Sequence, residues 1–304
     1  MHRWFKTLFV LAGLLIVAEG VLRWGVGLGS PPLVRLDPAT EYELIGPAEY
    51  HRWGNRILIN AVGMRAPEII AEPGTGTRRV LIIGDSVIYG GHFIDQSETI
   101  AAFATTQLTG DARLTGCERI ALPIAASSWG PVNQAAFLER SGTFGAQAAG
   151  IVVSAHDLYD TPQAGAEMLP YRTSAPLTAV QDAVTIVLER LFPMAAKPPV
   201  LTSHASAAQT RAALSRMTTQ LRAAGVEPIL FYHPTISERQ TGLRPEAAQF
   251  EEWATRTGLR FVNMGRADIA SNAYRDDIHP NAAGAANLAN IIVDAVAPDL
   301  AECG

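Results

Sequence analysis

The chain has 304 residues, 48% of them hydrophobic, and a net charge of −5 at neutral pH. That is enough apolar material for one sizeable folded domain, and the acidic balance without a long basic run argues against a nucleic-acid partner. Seven histidines without an HxH or HExxH spacing, and two cysteines without CxxC, give no expected metal site.

The first element reads as an address. Arg3 and Lys6 precede an uncharged run, Thr7–Ala18 (TLFVLAGLLIVA). Its length suits a signal-peptide core and falls short of the roughly 20 residues of a full span. Leu22, Trp24, Val26 and Leu28 carry the apolar character past Glu19 and Arg23, which lie four apart and can pair on one helix face. Residues 1–28 are therefore expected to be an uncleaved single-pass anchor, with a signal cleaved after Gly20 as the alternative. Either reading places the rest of the chain on the extracytoplasmic, periplasmic side, with positive charges left inside.

Ser30-Pro31-Pro32 stops the helix, since proline removes a donor and restricts its neighbour. Residues 29–76 show no clean period and are expected as a packed extension ending in the linker Pro73-Gly74-Thr75-Gly76. A domain over 77–304 follows. The pattern there predicts strands at Val80–Gly84, Arg119–Pro123, Ala149–Ser154, Val226–Tyr232 and Arg260–Val262. It predicts helices at Glu98–Leu108, Val132–Glu139, Val180–Phe192, Ala205–Ala224 and Ala282–Val296. This alternation is the mark of an α/β fold with a parallel sheet covered on both faces. Val180, Val184, Val187, Leu188 and Leu191 share one side of their helix, which makes it amphipathic. Residues 157–204 read as an insertion between strands three and four, at a sheet edge where insertions shape substrate access.

Two short blocks carry chemistry. Arg79–Gly90 reads RVLIIGDSVIYG, a β-branched strand broken by Gly84-Asp85-Ser86. A turn in that place delivers Ser86 to the carboxyl edge of a parallel sheet as a candidate nucleophile. Asp276-Asp277-Ile278-His279-Pro280-Asn281 precedes the last helix. His279 can act as base near neutral pH, and Asp276, three residues earlier, can orient its ring. Asp277 is the alternative carboxylate.

Together, GDSxxxG (Gly84, Asp85, Ser86, Gly90) and DxxHP (Asp276, His279, Pro280) resemble the SGNH/GDSL hydrolase family, in motif and in order along the chain. The resemblance covers Arg79 to the end and implies a three-layer α/β/α, flavodoxin-like fold. It implies a serine hydrolase that forms an acyl-Ser86 ester on small-molecule, carbohydrate or lipid ester substrates, with no cofactor. A carbohydrate O-acyltransferase using the same three residues is one alternative, and a non-catalytic binding or scaffold protein is another. The family draws its oxyanion donors from the serine amide, a glycine amide after strand two and an asparagine side chain after strand three. Ser86 and Gly130 match the first two. His156 stands where the asparagine is expected, and an imidazole N–H can donate in its place. Asn60, Gly63 and Arg65 resemble a segment that precedes the domain in anchored relatives, so Arg65 is weighed as a packed or a substrate-facing residue.

Lesser candidates have two readings each. His92 and His233 are either pocket-lining or plain loop residues, and Trp129 either stacks on a sugar or packs beside the site. Cys117 and Cys303 are either one disulfide or two thiols.

Overall fold

A computed structural model of the chain describes residues 2–70, 72–111, 116–162, 172–192 and 204–300. Helix α1 spans His2–Gly20 and runs on as a π-helical stretch, Val21–Val26. The apolar segment Trp4–Val26 has a mean hydropathy of 2.0 and is long and apolar enough to cross a membrane; its most apolar stretch is buried nowhere. Glu19 and Arg23 pair at 2.8 Å.

Two antiparallel hairpins follow, β1 (Val34–Asp37) with β2 (Glu41–Leu44), and β3 (Ala48–Arg52) with β4 (Asn55–Ile59). The second is closed by Trp53-Gly54, both at positive φ (54° and 80°), the geometry of a two-residue type I′ turn. Residues 29–76 thus hold regular structure that their sequence did not announce. Tyr42, Ile57, Ile59 and Met64 are fully buried in the same core as the main sheet.

That sheet is wholly parallel. It contains β5 (Thr77–Gly84), β6 (Glu118–Ala125), β7 (Ala148–Val153), β8 (Pro228–Tyr232) and β9 (Arg260–Asn263), in the order β6-β5-β7-β8-β9. α3 (Ile100–Gly110) and α9 (Ala282–Val296) pack together on one face, and α4 (Pro131–Ser141) and α6 (His204–Ala223) on the other. The α/β class and the three layers expected from the sequence are borne out. Every β7 residue is buried, as a central strand covered on both faces requires. Two-sided burial accounts for the continuous apolar runs IVV and VLII.

Between β8 and β9 lie two helices with no counterpart among the expected elements, α7 (Ile236–Thr241) and α8 (Pro245–Thr257). α8 has proline at its first turn, buries Ala247, Phe250, Trp253 and Ala254, and ends at Gly258 in the left-handed region. Helix α5 (Ala179–Leu191) forms where expected, but its apolar side is not in the core: Val184, Val187, Leu188 and Leu191 are half or more exposed. Its first turn packs on α1 instead of over the sheet edge. Cys117 lies in a disulfide. Cys303 lies outside the described residues.

Candidate active site

The Ser86 turn is built by its neighbours. β5 ends at Gly84, where a Cβ would meet the Ile88 side chain at 2.5 Å. Asp85 caps the short helix α2 (Ser86–Tyr89) by accepting from the Val87 amide at 2.8 Å. Gly90 ends it at φ 77°, and a Cβ there would meet Ile94 at 2.6 Å. The two glycines of GDSxxxG are therefore steric requirements of a strand–turn–helix that presents Ser86, which is itself partly exposed.

Arg65 locks the far end of this turn. Fully buried, it donates to the carbonyls of Tyr89 at 3.0 Å and Ile94 at 2.7 Å and to that of Gly91, and to Gln96 Oε1 at 3.2 Å. Of its two readings, the packed one holds.

The loop before α9 brings the other motif to the same place. Ser86 Oγ lies 2.9 Å from His279 Nε2. His279 Nδ1 lies 2.8 Å from Asp276 Oδ2. A carboxylate only accepts, so Nδ1 carries the proton and Nε2 is left to accept from the Ser86 hydroxyl. Asp276 Oδ1 also accepts from the amides of His279 at 2.8 Å and Ile278 at 3.0 Å. Burial opposes its charge, but these amides and the His279 ring outweigh it and hold Asp276 below the ordinary carboxylate range. Asp277 points elsewhere. It accepts from the Ser237 amide at 2.9 Å and the Ser237 hydroxyl at 2.8 Å, tying the loop to α7.

His156 follows β7, in a 3₁₀ turn over Ala155–Leu158. Its Nε2 lies 3.2 Å from Asp85 Oδ2 and 3.8 Å from Asp157 Oδ1. Burial disfavours the imidazolium, but the Asp157 and Asp85 carboxylates outweigh it and push His156 up to about 10. Burial also raises Asp157 to about 8, against the pull of His156. For Asp85 burial again works against charge, and His156 prevails and lowers it. These three residues could offer ligand atoms within 4.8 Å of one another to a metal ion. The same Asp85 and Asp157 oxygens already face the His156 ring.

Gly130 stands at the start of α4, and its N–H donates to Asn133 Oδ1 at 3.1 Å. That amide is taken up in the helix start. Trp129 is buried, with its indole N–H on the Tyr42 carbonyl at 3.2 Å and its ring against Phe137, so it is packing and not a sugar platform. His92 lies against Phe93, and burial, then Arg52, Arg275 and Arg65, push it down to about 4.

His233 is buried, and burial pushes it down to about 4, so the ring is neutral. Its Nε2 meets the Ile278 carbonyl at 3.0 Å. It therefore holds the backbone immediately before His279, a role neither of its sequence readings contained. Ser237 and α7 brace the same loop from the other side. The available signal was the capping box Thr235-x-x-Glu238 directly after β8.

No protein-family model matches the chain, and no curated protein matches it. Solved structures similar to it include a lipase/acylhydrolase from Enterococcus faecalis, at 13% identity and TM-score 0.46, covering 74% of this chain and 97% of that one. A GDSL-like lipase from Bacteroides thetaiotaomicron matches at 14% identity and TM-score 0.44, covering 76% and 93%. A carbohydrate acetylesterase from Sinorhizobium meliloti matches at 12% identity and TM-score 0.43, covering 73% and 100%. At such identities and scores these are likenesses only.

Proposed function

We propose that this protein is a serine hydrolase that cleaves acyl esters, with Ser86 as nucleophile, His279 as general base and Asp276 as its orienting carboxylate. The observation that supports it is the unbroken chain of contacts, 2.9 Å from Ser86 Oγ to His279 Nε2 and 2.8 Å from His279 Nδ1 to Asp276. Ser86 Oγ attacks the acyl carbon while His279 takes its proton. His279 returns that proton to the departing alcohol, and water then releases the acyl group by the same route.

The tetrahedral oxyanion needs donors. Ser86 is the first residue of α2, so its N–H has no acceptor within the helix and is one donor. His156 is the second. Its Nε2 faces Asp85, so the proton it offers is on Nδ1, and the raised pKa keeps that proton in place. Gly130 becomes the third when the substrate oxygen replaces Asn133 as its acceptor. The reaction takes place outside the cytoplasm, with α1 as anchor; the apolar span Trp4–Val26 and a disulfide at Cys117 support this reading. The substrates are short acyl esters of carbohydrates, lipids or small alcohols.

The test is covalent labelling. A fluorophosphonate should modify Ser86, and Ser86→Ala should lose both labelling and hydrolysis of p-nitrophenyl esters. Labelling elsewhere with an active Ser86→Ala protein would overturn the proposal. Adding acceptor sugars to the same assay separates hydrolysis from transfer by product.

A further inference from the structure

The base of the apolar helix is bolted to the domain, and the attachment is at α5. The Glu19 carboxylate accepts from the first two amides of α5, Ala179 at 2.9 Å and Val180 at 3.0 Å. One turn into α5, the buried Asp182 accepts from the Gly29 amide and from Arg52, each at 2.9 Å. The Trp53 amide reaches back to the Val26 carbonyl at 2.8 Å. The helix base is thus held by α5 and the β3–β4 hairpin.

Among the described residues, none covers the apolar stripe with which α5 leaves this junction. Val184, Val187, Leu188 and Leu191 recur at i, i+3, i+4 and i+7 and are 51%, 54%, 50% and 65% exposed. Phe192 continues the stripe at 70%. Of the three charges on α5, Asp182 is buried in its pairs, Glu189 lies 3.9 Å from Arg172, and Arg190 is exposed in the last turn beside the stripe. Depth is set by α1. Glu19 lies seven positions before Val26, the end of the span, so with a rise of no more than 1.5 Å per residue it sits at most about 10 Å inside it. That is the depth, roughly 5–10 Å below the surface, at which amphipathic helices lie in a bilayer.

We infer that α5 is a second membrane contact, its Val184–Leu191 stripe lying in the interface of the bilayer that α1 crosses, so that the domain sits on the lipid in a fixed orientation. The partner is the lipid itself, not a second protein. Leu15, Ile16 and Trp24 of the apolar segment line one groove with Val180 of α5. The stripe itself holds no charged residue, so contact depends on apolar area and not on anionic lipid. The inference rests on reading α1 as an anchor.

The test uses the full chain in vesicles of pure phosphatidylcholine, with photoreactive benzoylphenylalanine placed singly at Val187, at Ile16 in α1, or at the exposed Glu251 of α8. Mass spectrometry should find phosphatidylcholine adducts at positions 187 and 16, roughly tenfold above position 251, and unchanged in high salt. Adducts at 16 but not at 187 would overturn the α5 inference and leave the anchor standing. Adducts at neither would remove the anchor as well. Covalent dimers from position 187 would make the stripe a contact between copies of the chain and overturn the inference. Val187→Glu with Leu188→Glu keeps the helix and should leave fluorophosphonate labelling of Ser86 unchanged. It should also weaken lipid crosslinking from a probe at Leu191 by about tenfold, and unchanged crosslinking there would count against the inference.

Discussion

Two histidines stand beside the Ser86 turn, and they differ in what their Nε2 atoms face. His279 turns Nε2 to the Ser86 hydroxyl and gives its other nitrogen to one carboxylate, Asp276. His156 turns Nε2 to Asp85 and Asp157, and the two carboxylates overcome burial to keep it protonated to about 10. One Nε2 is left facing a hydroxyl, whereas the other faces carboxylates that favour its protonated form. Both come from loops at the carboxyl edge of the same sheet. Placement of carboxylates, not residue type, separates the two rings and the roles proposed for them.

That comparison can be broken most directly at His279. His279→Ala and Ser86→Ala should each lower kcat by on the order of 10⁶, and the double variant should be little worse, because the two act as a unit. Additive losses, measured with a p-nitrophenyl ester, would mean that they do not. Next comes the carboxylate. Asp276→Asn should cost about 10⁴ in kcat by unsettling the tautomer. Asp277→Asn should leave kcat nearly intact and cost about 1 kcal/mol of stability through its Ser237 hydrogen bonds. The reverse ranking would move the orienting role to Asp277.

His156 sharpens the contrast. His156→Ala should lower kcat by about 10²–10³, the usual effect of losing one oxyanion donor, while His156→Asn should keep much of the activity. Fluorophosphonate labelling should persist in both, since His279 still activates Ser86. A fully active His156→Ala would leave that residue a purely structural cation. The smallest effect is on stability against pH. Asp157 is raised from 3.8 to about 8 in the folded chain and His156 from 6.5 to about 10, so the folded state binds more protons than the unfolded one between these values. Their contribution is complete at acid pH. It falls as pH rises, first through the range of about 4 to 8 for Asp157 and then from 6.5 to about 10 for His156. Asp157→Asn should flatten the lower part of that decline in a Tm–pH series, and an unchanged slope would show that Asp157 ionises normally.

Elements with continuous or periodic burial could be read from residue order alone. β7 is apolar throughout because both faces are covered, and α9 occupies the span expected for it, Ala282–Val296, because its apolar period faces a single sheet. Gly84, Ser86 and Gly90 at their spacing specify a strand–turn–helix, since the glycines answer local steric limits. The hairpins β1–β4 were hidden because their strands are four or five residues long and gain their apolar contacts from a distant sheet. α8 was legible in principle from Pro245, Gly258 and the spacing of Ala247, Phe250 and Ala254.

Other outcomes depended on which distant groups meet in the folded chain. The proton on His156 depends on Asp85, seventy-one positions earlier in the chain. The Gly130 amide is taken by Asn133, and the backbone before His279 is fixed by His233 from another strand. The amphipathic pattern of α5 likewise marks an apolar side without saying what faces it. Periodicity records that a side chain avoids water. Charge, donor pairing and the identity of a packing surface arise from groups brought together across the chain, and those are set only when it folds.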